Sequence, residues 1–106
     1  MSYSSAINKW LPNVIDPTEE VCRRACEWID QLEAFGGTCT LEVLQSALQM
    51  ADTDPRVSGI YIMTDGKPDS TNTAILADVA NRNKREIPIN TVSYKCSDEY
   101  VYILLF

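Results

Sequence analysis

The sequence predicts an α/β fold in which helices cover both faces of a mostly parallel sheet. Two short β-rich runs, at 57–63 and 87–94, flank a helical segment at about 70–85, and two amphipathic helical segments precede them. Strand, crossover helix and strand form one right-handed βαβ unit. Because the first run is almost continuously apolar, we expect its strand to be buried on both faces, as in a parallel sheet.

The composition indicates one small globular domain that has no general affinity for nucleic acid or membranes. The chain has 106 residues, of which 45% are hydrophobic and 23% are charged, and these values argue against global disorder. Its formal net charge of −6 favours cations and basic protein surfaces over polyanions. The sequence shows no secretory signal and no apolar stretch long enough to span a bilayer, so we expect an intracellular, cytoplasmic location with reduced thiols.

The sequence divides into three parts. Residues 1–15 are expected to form a weakly structured N-terminal segment, 16–96 carry the periodic elements, and 97–106 form an apolar tail. The last seven residues, from Tyr100 to Phe106, are uncharged and β-rich, a composition that favours association between chains.

The first amphipathic segment predicts a helix that Asp16 caps and Gly36-Gly37 ends. Cys22 and Cys26 lie at i and i+4 on one side of this helix. Because the chain has no histidine and the spacing is not C-x-x-C, we expect buried reduced thiols rather than a zinc site. The expected buried stripe comprises Val21, Ala25, Trp28 and Leu32.

Two further helices follow. Thr40 is expected to cap the second helix, and Asp54-Pro55 is expected to end it, because the residue before a proline is pushed out of the helical region. Asp69 or Ser70 is expected to cap the third helix. The predicted inner faces comprise Leu41, Leu44, Leu48 and Ala51 in the second helix, and Ile75, Leu76, Val79 and Ala80 in the third.

Two loops carry the residues with the clearest site chemistry. Gly36-Gly37-Thr38 precedes the second helix, and Thr64-Asp65-Gly66 follows the first strand. Loops at the carboxyl ends of parallel strands meet at one edge of a sheet, so we expect the Thr38 hydroxyl and the Asp65 carboxylate to face the same crevice. Oxygen ligands of this kind suit a hard divalent cation such as Mg²⁺.

Several segments of the chain follow one another in an order that is typical of a known family. They are Trp28-Ile29-Asp30-Gln31-Leu32, Gly36-Gly37-Thr38, Leu41 with Ala47-Leu48, Ile62-Met63-Thr64-Asp65-Gly66, and Asn90-Thr91-Val92-Ser93-Tyr94-Lys95-Cys96. Together they resemble the second half of a von Willebrand factor A domain. The resemblance covers about 16–96 and is closest to the intracellular group called von Willebrand factor A domain-containing protein 3.

The resemblance implies a doubly wound, Rossmann-like sheet with a metal-ion-dependent adhesion site at its carboxyl edge, where a partner's carboxylate completes the metal shell. Thr38 matches the threonine of the second family loop and Asp65 the aspartate of the third, with Gly37 and Gly66 letting the backbone approach the ion. The first family loop, Asp-x-Ser-x-Ser, does not precede Asp16. We therefore expect a truncated domain without its first strands, and weak binding of Mg²⁺.

The missing first strand has a consequence for the sheet. In the family order it lies beside the strand that ends at Met63. Without it, the segment 60–63 presents an open apolar edge, and such edges pair with other strands. We expect self-association through this edge or through the apolar tail.

We interpret the chain as a non-enzymatic module that binds a protein partner through the carboxyl edge of the sheet. Two alternatives stay open. Asp65, at the end of a strand, is also a candidate phospho-acceptor or nucleophile of a phosphoryl-transfer enzyme, although Lys67 is too close in sequence to be its usual partner. Otherwise the domain is purely structural, with Thr38 capping a helix and Asp65-Gly66 forming a turn.

Overall fold

The computed structural model describes residues 1–33, 37–64 and 69–94. Its elements are β1 (Ser2–Tyr3), β2 (Ile7–Asn8), α1 (Glu19–Asp30), α2 (Thr40–Thr53), β3 (Ile60–Thr64), α3 (Asn72–Arg82) and β4 (Ile89–Ser93). This succession of helices and strands is that of the predicted α/β class. None of the helices in these ranges is long and apolar enough to cross a membrane. The expected apolar tail at 97–106 lies outside the described residues.

β3, α3 and β4 form a βαβ unit. The two strands pair in parallel, with Ile60 opposite Ile89 and Thr64 opposite Ser93. Each strand is shorter than predicted, because the residues just before it belong to a connection rather than to the paired sheet. The connection between α2 and β3 is held by the Arg85 guanidinium, which donates to the carbonyls of Ala51, Asp54, Pro55 and Val57.

One face of the β3–β4 sheet is covered by α2 and α3, and the hydrophobic core lies between them. Leu44 of α2 and Ile75 of α3 expose 1% and 0% of their surface. Both helices repeat a buried side chain at i+4, so each presents one apolar stripe to the sheet. The rest of the core cluster comprises Val43, Leu48, Ile62, Val79 and Ile89.

The predicted inner faces of α2 and α3 agree with the structure at most positions. Leu41 is half-buried, whereas Leu76 and Ala80 are exposed. The last two each follow a buried residue, and one step along a helix turns a side chain by about 100°, away from the sheet. The positions predicted to be buried and found so are Leu44, Leu48, Ala51, Ile75 and Val79.

The helix caps differ from those predicted. Thr18 caps α1 in place of Asp16, and Thr71 caps α3 in place of the two residues before it. Each threonine hydroxyl accepts from the backbone N–H three residues on, at 3.2 and 3.3 Å. Cys39 occupies the cap position of α2 in place of Thr40 and makes no side-chain cap hydrogen bond. Packing rather than a cap therefore secures the start of α2.

The second face of the sheet is open. Side chains alternate along a strand, so the neighbours of buried Ile62 point away from the helices, and Tyr61 and Met63 are 77% and 71% exposed. Val92 and Tyr94 are exposed as well. This corrects the expectation that helices cover both faces, since no element in the described ranges buries the second one. A continuous apolar run predicts a strand, but it does not place a helix on either side.

α1 lies apart from the core and buries no residue. Its Trp28 ring stacks on Trp10, with the ring centroids 6.3 Å apart, whereas Leu32 is exposed. Cys22 and Cys26 are exposed too, which corrects the expectation of buried thiols. Helical spacing puts the two cysteines on one side of α1, but no described element packs against that side.

Residues 1–15, which were expected to be weakly structured, contain a β-hairpin. β1 and β2 pair antiparallel, with Tyr3 opposite Ile7, and both of these side chains pack against the core. The Tyr3 hydroxyl also donates to the carbonyl of Met63 at 3.5 Å. The hairpin is therefore part of the folded unit and lies beside the carboxyl end of β3.

Candidate functional site

The loop at 37–39 contacts the segment that follows β3. The Thr38 carbonyl accepts a hydrogen bond from the backbone N–H of Asp69 at 2.9 Å. The loop at 37–39 therefore lies next to Asp69, which follows the second predicted loop along the chain. Asp65 and Gly66 themselves lie outside the described residues, so the expected approach of the Asp65 carboxylate to the Thr38 hydroxyl stays a prediction.

The N-terminal hairpin brings a third segment to the same place. The Cys39 N–H donates to the Ser4 carbonyl at 2.7 Å, and a Cβ atom at Gly37 would lie 3.9 Å from the Cβ atom of Ser5. Both serines are thus next to this loop. Neither serine was predicted to belong to the site, since their one local signal is the serine-rich start, Ser2-Tyr3-Ser4-Ser5.

The loop is accessible from solvent. Gly37 is exposed and Thr38 is half-buried. A side chain at Gly37 would meet Ser5 at ordinary contact distance, so the structure itself does not demand glycine there. Its expected role, letting the backbone approach an ion, stays a prediction.

Two carboxylates act on the Cys39 thiol of this loop. The Cys39 thiol is 4% exposed, and its pKa is raised first by burial and then by the negative charges of Glu42 and Asp69. Glu42 belongs to the first turn of α2, and Asp69 belongs to the segment after β3. Because two carboxylates act on the loop from different elements, a cation is favoured over an anion there.

The oxygen atoms near this loop are of the type that binds a hard cation, but they are too few to complete its coordination shell. Mg²⁺ binds oxygen atoms and prefers about six of them, and Thr38, Asp69 and the neighbouring serines carry such oxygens. However, the described ranges contain no group of three or more His, Cys, Asp or Glu side chains placed to hold a metal ion. The Thr38 carbonyl is already engaged by two N–H groups, which leaves its hydroxyl to contact an ion.

A second surface with the character of a binding site is the exposed side of the β3–β4 sheet. We call it the open face. It contains no charged side chain, and large apolar patches on a protein surface indicate contact with another polypeptide. Its members are Tyr61, Met63, Asn90, Val92 and Tyr94.

Comparison with known proteins adds independent information on this chain. Residues 1–100 match the family described as von Willebrand factor type A domain. The chain is 32% identical over 99 residues to von Willebrand factor A domain-containing protein 3A of Homo sapiens, an alignment that covers 92% of this chain and 8% of that relative. It is 32% identical over 90 residues to von Willebrand factor A domain-containing protein 3B of Homo sapiens, which covers 85% of this chain and 6% of the relative. No solved structure matches significantly.

These matches confirm the resemblance found in the sequence, including the group within the family. The match begins at residue 1 rather than at 16, so the hairpin segment belongs to the matched region. The chain spans less than a tenth of the length of either relative.

Proposed function

Since the chain belongs to the von Willebrand factor type A domain family, we propose that it is a protein-interaction module whose partner docks at the carboxyl end of the β3–β4 sheet. One observation carries this proposal. The loop at 37–39 is hydrogen-bonded to Asp69 on one side and to Ser4 on the other. Segments that are far apart in the sequence thus converge on a single solvent-accessible point, where loops of an α/β sheet commonly bind ligands.

We further propose that this point binds Mg²⁺ weakly, through the Thr38 hydroxyl and the Asp65 carboxylate. The negative charge of Asp69 and Glu42 around the loop supports a cation, and the adjacent serine hydroxyls are ligands of the right class. A bound cation would supply the positive charge that a partner's carboxylate needs. Few protein ligands and an incomplete shell imply weak affinity.

Calorimetric titration with Mg²⁺ and Mn²⁺ tests the metal proposal. Wild type should bind with a dissociation constant on the order of 1 mM, as expected for a site with few carboxylates. Thr38→Ala and Asp65→Ala should each abolish the measurable heat, whereas Thr73→Ala, an exposed threonine on α3, should leave it intact. Heats that are equal in all of these variants would refute the assignment of the site.

Partner binding can be tested separately with a peptide library displayed on phage. Selected peptides should contain Asp or Glu, should bind in Mg²⁺ but not in EDTA, and should be lost with Thr38→Ala. Peptides that bind equally in EDTA and to both site variants would contradict docking at this edge. They would leave the family assignment untouched, because that rests on the sequence match.

The alternative of an Asp65 phospho-acceptor makes a different prediction. Incubation with acetyl phosphate should add one phosphoryl group to wild type and none to Asp65→Asn if that alternative holds. The interaction-module proposal expects no phosphoryl transfer to either protein. Intact mass spectrometry distinguishes the two outcomes.

We also propose self-association through β3. The β3–β4 sheet has two strands within the described residues. No third strand of that range pairs with the edge at 60–63, where the Tyr3 hydroxyl contacts the Met63 carbonyl, and the open face adjoins this edge. Sedimentation velocity should show a concentration-dependent dimer that Met63→Lys weakens, because a charge on an apolar contact opposes association. A monodisperse monomer at all concentrations would refute the proposed self-association.

A further inference from the structure

α1 presents two thiols to solvent on one side of a helix. Cys22 and Cys26 are both exposed and both free. They are separated by one helical turn. The Thr18 hydroxyl caps the first turn of α1 and Trp28 in its last turn stacks on Trp10, so the helix that carries both thiols is stabilised near both ends. The pair is therefore a preformed dithiol that the proposed interaction site does not use.

Helical geometry decides what these two thiols can do together. Side chains at i and i+4 have Cβ atoms about 5–6 Å apart. A disulfide requires Cβ atoms about 3.5–4.5 Å apart, so Cys22 and Cys26 cannot form one while α1 stays helical. A thiolate–metal bond is about 2.3 Å long, so one ion between two sulfur atoms holds them roughly 4.6 Å apart, a separation close to the Cβ spacing of this pair. Helical geometry thus prevents a disulfide between Cys22 and Cys26 but allows one ion to bridge their sulfur atoms.

The number of ligands selects the ion. The described residues contain no group of three or more His, Cys, Asp or Glu side chains that could hold a metal ion, so α1 offers two sulfur atoms. Zn²⁺ in a protein normally takes four ligands, whereas soft thiolates also select Cu(I), a monovalent ion that two sulfur ligands satisfy. We propose that Cys22 and Cys26 form a dithiolate site for Cu(I).

The charges on α1 are compatible with this ligand. Arg23, the base next to Cys22, is engaged by the carboxylates of Glu20 and Glu27, so its guanidinium does not compete with the ion for the sulfur atoms. On binding, the two thiols release two protons to solvent and the ion becomes a bis-thiolate with one net negative charge. The ion enters as Cu(I) and stays Cu(I), so no oxidant or reductant is consumed.

The test is a competition titration of the full chain against bicinchoninate under anaerobic conditions, with the absorbance of the Cu(I)–bicinchoninate complex as the readout. Wild type should remove one Cu(I) per chain. Cys22→Ser and Cys26→Ser should each weaken binding by about 100-fold, because a single thiolate loses the chelate advantage. Cys39→Ser, which alters a buried thiol, should bind as wild type does.

A spacing variant separates a built site from generic thiol affinity. Cys26→Ser combined with Glu27→Cys keeps two thiols on α1 but turns one of them by about 100° around the helix. This variant should bind as weakly as the single-serine variants, with far-ultraviolet circular dichroism confirming that the helix is retained. Wild-type affinity in the spacing variant, or one ion shared by two chains with Zn²⁺ preferred, would overturn the proposal.

Discussion

The two faces of the β3–β4 sheet are both largely apolar, yet one is buried and the other is exposed. Ile62 lies under α2 and α3, whereas its neighbours Tyr61 and Met63 point to solvent. The local sequence suits burial on either side, so the difference comes from the elements that the chain places against each face. An apolar strand therefore predicts its own extended structure well and its cover poorly.

The helices repeat this contrast. α2 buries five residues, whereas α1, of similar length, buries none. α2 runs directly into the connection to β3. α1 contacts the rest of the chain through the stacking of Trp28 on Trp10. Just before the helix, Asp16 forms an ion pair of 2.6 Å with Arg56. A helix attached in this way can present reactive side chains to solvent without disturbing the core.

Truncating one side chain on each face of the sheet tests directly whether the two faces contribute differently to stability. Leu44→Ala leaves a cavity under the covered face and should lower the free energy of unfolding by about 3 kcal/mol. Met63→Ala, on the open face, should change it by less than about 0.5 kcal/mol. Urea unfolding followed by circular dichroism measures both. Equal losses would mean that the open face is covered in solution.

Local sequence patterns predicted the features that are specified within a single helix or strand. The stripes of α2 and α3 are encoded by i, i+4 repeats such as Leu44 with Leu48, and helical spacing placed Cys22 and Cys26 on one side of α1. The same patterns contain no information on what packs against that side, because cover depends on elements distant in sequence. The exposure of these thiols was therefore not predictable from the pattern.

The candidate site shows the same limit. Thr38 was recognisable from a glycine-rich loop before a helix, in the order typical of the family. Ser4 was not, because it reaches the loop through a backbone hydrogen bond to Cys39, a contact that any residue could make. Backbone contacts across distant segments leave no side-chain signature in the sequence.

The connection between α2 and β3 offers a sharper probe of the covered face. Arg85 donates to carbonyls at both ends of this connection. One belongs to Ala51, which is 34 positions earlier in the sequence, and another belongs to Val57, at 2.8 Å. Arg85→Ala should lower the free energy of unfolding by about 1–2 kcal/mol, since charged hydrogen bonds to four backbone carbonyls are lost, of which the one to Ala51 is partly buried. Arg85→Lys should recover a fraction of this, because an ammonium group cannot reproduce the planar fork. Lys84→Ala, at the exposed neighbouring position, is the control, and an equal loss there would contradict the role of Arg85.

Removing the N-terminal cap of α3, which packs on the covered face, and that of α1, which does not, tests whether the two helices contribute equally to global stability. Thr71→Ala removes the hydroxyl that accepts from the Ala74 N–H and should cost about 1 kcal/mol of global stability. Thr18→Ala removes an equivalent bond to the Val21 N–H, but α1 buries no residue. Its loss should therefore appear as faster hydrogen exchange in the first turn of α1, with little change in global unfolding. Equal global losses would show that α1 unfolds with the core.

The smallest expected effect concerns the ion pair between Asp54 and Arg56 in the α2–β3 connection. The Arg56 side chain donates to Asp54 and holds the pKa of that carboxyl at about 2, below its usual 3.8. Because the folded pKa is lowered, the contribution of Asp54 to stability is complete above pH 3.8 and is lost as pH falls through about 2. Asp54→Asn and Arg56→Gln should both flatten the fall in thermal midpoint between these two values. An unchanged slope in Asp54→Asn would mean that the Asp54–Arg56 ion pair does not form in solution.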